Sequence, residues 1–112
     1  MTTGMSTDND LDSDHLVVRK TAVIDSELMK RDVHIAALQE TRRSGSGTIK
    51  ERNFTFFWFG RPQGQPRMYG TGFAVRNELI TCIQIPIPVS DCLSYLRMNT
   101  KQGSILVISC YA

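Results

Sequence analysis

Histidine, cysteine and tryptophan are scarce in this chain of 112 residues, with two, three and one copies. The cysteines, Cys82, Cys92 and Cys110, lie far apart, and no CxxC or His/Cys cluster has the spacing of a zinc site. An odd, unpatterned set argues against a disulfide framework and for reduced thiols in an intracellular protein. Their apolar, strand-like surroundings predict that all three are buried. No apolar run approaches the roughly 18–20 residues of a membrane span. The opening "MTTGMSTDNDLDSD" has neither the basic region nor the apolar core of a secretory signal. GxGxxG and P-loop patterns are missing, so no Gly-rich phosphate cradle is indicated. There is no internal repeat and no low-complexity tract.

What is present suits one small folded domain. Hydrophobic residues make up 41% and charged residues 21% of the chain, which argues against global disorder. A domain of this size buries about two-thirds of its unfolded surface, so its stability margin is thin. The net charge of +2 conceals an asymmetry. Asp8, Asp10, Asp12 and Asp14 crowd the start, whereas from Leu16 onward 13 basic residues face 7 acidic ones. Between Arg42 and Arg76 seven cations accompany a single acid, Glu51. Such a stretch either forms a solvated basic surface or attracts a polyanion.

Residues 1–13 read as a disordered or loop-like N-terminus, and 14–112 as the folded part. Val17, Thr21, Ile24 and Leu28 share a helical face, predicting a helix over 14–31 with Asp14 as its N-cap and Lys30 and Arg31 at its C-terminal end. Asp32 breaks that pattern. "VHIAALQ", Val33 to Gln39, is short and apolar and predicts a strand buried on both faces, as in a parallel or mixed sheet covered by helices. "SGSG", Ser44 to Gly47, predicts a flexible loop. "FTFFWFG" and "TGFAVRN" predict strands, separated by the loop "RPQGQPRMYG". "IQIPIPVSD" suits an edge strand or a connection. "LSYLRMN" and "SILVISCYA" flank "TKQG" as a hairpin. The whole is a mixed α/β pattern with a meander.

The candidates for chemistry are few. Glu40 follows an apolar strand, where in open α/β sheets ligands collect. A carboxylate there is either an ordinary surface group or an oxygen ligand for magnesium. Arg42 and Arg43 either carry solvated loop charge or contact phosphate and hold Glu40 ionised. Tyr111 closes the last apolar strand, where a phenol either packs or hydrogen-bonds a phosphate oxygen. Trp58 and its phenylalanine neighbours, at alternating spacing, read as core, with base stacking as the other possibility. His15 and His34 have no second ligand at metal spacing and read as structural or exposed.

Taken together, "RKTAVIDSELMKRDVHIAALQETR", "FTFFWFGRP", "GTGFAVRN" and "SILVISCYA" resemble the endonuclease/exonuclease/phosphatase superfamily. The nearest likeness is to endonuclease domains of LINE-type retrotransposons and the related craniofacial-development-protein-2-like sequences. The resemblance runs from about Arg19 to Ala112, and "LQET" is its most specific piece. It implies the N-terminal part of a four-layer α/β sandwich, with mixed sheets flanked by helices. It implies hydrolysis of DNA phosphodiesters assisted by Mg2+ or Mn2+, with DNA as partner and a nuclear location. Glu40 then takes the place of the magnesium-binding glutamate, and Tyr111 that of the tyrosine near the scissile phosphate. The family's first strand with its Asn, its Asp-x-Asn motif and its Asp-His pair have no counterpart in these residues. The expectation is therefore a partial domain, inactive alone, with exposed apolar surface where packing partners are missing. The alternative is a non-catalytic remnant that binds nucleic acid or protein through its basic middle.

Overall fold

A computed structural model describes residues 10–39, 45–60, 70–90 and 92–110, with side chains within the helix described from Lys20 onward. One helix precedes seven strands. Helix α1 spans Asp10–Lys30, and the strands are β1 Ile35–Gln39, β2 Ser46–Lys50, β3 Phe54–Phe59, β4 Thr71–Arg76, β5 Ile87–Ser90, β6 Leu93–Thr100 and β7 Gly103–Cys110. A 3-10 helix over Asn77–Cys82 joins β4 to the second sheet. Four strands form one sheet in the order β1-β4-β3-β2, and three form another in the order β5-β6-β7.

Every strand pairing among the described residues is antiparallel. This corrects the expectation of mixed sheets. β1 is an edge strand paired to β4, and its Ala37 is exposed, so it is not buried on both faces. The fully buried strand is β4, sandwiched between β1 and β3 with all six residues inaccessible. Apolar runs of this length cannot by themselves distinguish a central strand from an edge.

Alternation along β1, β3 and β4 divides the first sheet's side chains between two cores. On one face Leu38, Phe54, Phe56 and Ala74 pack with Ile24 and Leu28 of α1. On the other, Phe73 and Val75 meet Leu96 of the second sheet, with Phe57, Phe59, Met98 and Val107 around them. The result is a helix, a four-stranded sheet and a three-stranded sheet stacked in three layers. Among the described residues nothing covers the outer face of the three-stranded sheet.

The helix begins at Asp10, four residues earlier than predicted, so Asp14 lies inside it and does not cap it. Its C-terminus is closed by a Schellman arrangement. The Asp32 N–H donates to the Met29 carbonyl (3.2 Å) and the Val33 N–H to the Leu28 carbonyl (3.1 Å). Asp32 adopts φ +56°, the left-handed conformation that usually calls for glycine. The face of α1 also carries an unanticipated polar anchor. Buried Asp25 accepts hydrogen bonds from the Asn53 N–H (3.0 Å), the Asn53 side-chain amide (2.8 Å) and the Phe54 N–H (2.6 Å). Beside it, the Thr21 hydroxyl donates to Glu51 at 2.6 Å. These bonds fasten the helix to the turn between β2 and β3.

The predicted loop over 44–47 contains the start of β2 instead, with Ser44 itself outside the described residues. Gly47 is in a strand because it faces Trp58 across the pairing. A Cβ there would stand 2.1 Å from the indole ring, so only glycine admits the ring. The prediction of buried cysteines fails as well. Cys82 and Cys92 are half-buried at the end of the 3-10 helix and in a turn, and Cys110 is exposed on β7; none of the three is in a disulfide.

A candidate site where two strands end

β1 is described as far as Gln39 and β7 as far as Cys110. Glu40, Arg42, Arg43 and Tyr111 all lie outside the described residues, as does the loop over 61–69. The structure does describe the residue on the N-terminal side of each principal candidate. The Gln39 side-chain amide donates to the Cys110 carbonyl at 2.6 Å. Glu40 follows the first of these residues, and Tyr111 the second, by one peptide bond. Two strands from different sheets, 71 positions apart in sequence, are therefore joined at the ends from which the candidates depart.

A layer of hydroxyls underlies this junction. Ser109 is fully buried and donates to the Leu38 carbonyl at 2.7 Å, a second bond between β7 and β1. Thr71, opposite Gln39 in the register, shares a 2.8 Å hydrogen bond with Ser94, and both are fully buried. Ser94 and Ser109 are cross-strand partners in β6 and β7. Here the space between the sheets holds three buried side-chain hydroxyls whose hydrogen bonds are made internally. Such a network fixes the separation of the strand ends, since any shift strands a buried polar group.

Sequence reasoning missed Gln39, Thr71, Ser94 and Ser109. The available signal was a serine inside each of two apolar runs, "LSYL" and "VISC", at a spacing that puts it on the inward face. Nothing in one strand says which carbonyl or hydroxyl of the other sheet will meet it.

Of the seven cations of the middle stretch, Lys50, Arg52 and Arg76 lie among the described residues, and these three do not share one environment. Lys50 and Arg52 are exposed. Arg76 is not: its guanidinium donates to the Val33 carbonyl at 2.6 Å and lies 3.4 Å from Asp32 and 3.6 Å from Glu78. It also sits over the Phe54 ring, its cross-strand partner, at 5.7 Å. Arg76 thus seals the start of β1 against the end of β4 and leaves the set of polyanion contacts. The aromatic run is spent on packing, with Phe54 and Phe56 buried and Phe57, Trp58 and Phe59 half-buried. His34 is exposed, and His15 falls within α1.

A groove of about 560 Å³ lies between α1 and the β2–β3 turn, lined in part by Asp25, Lys30, Glu51 and Arg52. Its buried carboxylate is already satisfied by Asn53 and Phe54, so it is a seam of the fold. Among the described residues no three His, Cys, Asp or Glu side chains gather to hold a metal ion. At the β1–β7 junction the described polar groups are hydroxyls, a carboxamide and carbonyls. Together they offer no second carboxylate to accompany Glu40, and they do not by themselves make a magnesium site. No helix of the described residues is long and apolar enough to cross a membrane.

Comparison with known proteins adds no relative. No family model matches the chain, no curated protein matches it, and no solved structure matches its fold.

Proposed function

We propose that the chain is part of a divalent-metal-dependent phosphodiesterase of the endonuclease/exonuclease/phosphatase type, one that in its intact form nicks DNA. The reading rests on the likeness of "LQET", "GTGFAVRN" and "SCYA" to LINE-type endonucleases. One observation carries it beyond the sequence: the bond from Gln39 to the Cys110 carbonyl, which ties together the strand ends preceding Glu40 and Tyr111. A carboxylate and a phenol that depart from neighbouring strand ends can address the same phosphate. The stacking of helix on sheet on sheet is compatible with three layers of a four-layer α/β sandwich.

Within this proposal each residue has a defined task. Glu40 offers oxygen donors of the kind magnesium prefers. Tyr111 orients a phosphate oxygen through its hydroxyl. Gln39, Ser109 and the Thr71–Ser94 pair hold the two strand ends at fixed separation, which is a positioning role. A divalent cation held in part by Glu40 would supply polarisation of the phosphate and a bound water of lowered pKa. A single carboxylate binds such an ion weakly, so these 112 residues alone are expected to be inactive.

Plasmid nicking tests the proposal. The purified chain with magnesium should leave supercoiled plasmid intact. A longer chain that includes the adjoining coding sequence should nick it, and Glu40→Ala should abolish nicking. Efficient nicking by the short chain, lost in Glu40→Ala, overturns the inactivity; a longer chain without any nicking removes the support for a nuclease.

A second reading, a non-catalytic remnant that binds nucleic acid, draws on the exposed Lys50 and Arg52. It expects DNA affinity that falls steeply with salt and survives Glu40→Ala. Salt-independent binding, or none, counts against it.

A further inference from the structure

We draw no further inference here: the strongest candidate, the hollow of about 210 Å³ that Leu93, Tyr95, Arg97, Leu106 and Ile108 line on the outer face of the three-stranded sheet, is an apolar sheet face, and nothing in the structure shows what covers it.

Discussion

Replacing Asp25 is the sharpest test of how α1 is held. Asp25 is 4% exposed, and among the described residues its carboxylate makes no ion pair; it is solvated by two backbone N–H groups and the Asn53 amide. Hydrogen bonds to a charged group contribute about 1.5–3 kcal/mol each, less when they act as a set. Asp25→Ala removes both acceptor oxygens and with them all three hydrogen bonds, and leaves the buried Phe54 N–H without a partner, so the expected loss is about 3–5 kcal/mol. That approaches the whole stability of a small domain, about 5–15 kcal/mol. Asp25→Asn keeps an oxygen for the two backbone donors, and the Asn53 side chain can turn its own oxygen to the new amide. It should cost about 1–2 kcal/mol. Urea denaturation followed by far-UV circular dichroism measures both. A loss below about 1 kcal/mol for Asp25→Ala refutes the latch. Equal losses for the two variants show that the negative charge, and not acceptor geometry, is what the turn requires.

Three further outcomes are expected. Gly72→Ala would put a Cβ 2.2 Å from the Phe57 carbonyl in the central strand pair, so it should cost about 3 kcal/mol or more, read from the same denaturation curves. Ser94→Ala should cost about 1–2 kcal/mol by stranding the Thr71 hydroxyl, whereas Ser94→Ala with Thr71→Val should recover much of that loss in a double-mutant cycle. Asp32→Gly relieves a left-handed aspartate and removes a 3.4 Å contact to buried Arg76, which keeps the Val33 carbonyl and Glu78, so thermal melting should show a gain of about 0.5–1 kcal/mol.

Local order was legible because it is written in short-range pattern. The Thr21, Ile24 and Leu28 stripe gave the helix and its buried face, and the alternation through "FTFFWF" and "TGFAVR" gave β3 and β4. The pair of strands around Lys101 and Gln102 followed from one turn signal. The errors have one cause. Gly47 looked like loop because its strand role depends on Trp58, eleven positions away. Arg76 looked like surface charge because its partners, Asp32, Val33 and Glu78, assemble only when β1 meets β4. Asp25 looked like an ordinary polar interruption of a helical face because the donors it serves come from the next-but-one strand connection.

The sequence by itself determined the helix, β1, β3, β4 and the β6–β7 hairpin, though not β2, and it named two residues worth suspecting, Glu40 and Tyr111, since these follow from apolar runs and where they stop. The tertiary structure alone decided strand direction, which strand is central, and that the ends of β1 and β7 are fastened by Gln39 and Ser109. Periodicity within one segment reports which side chains share a face. It carries no information about which other segment that face will meet, because that choice is made by shape and hydrogen-bond matching between residues 71 positions apart.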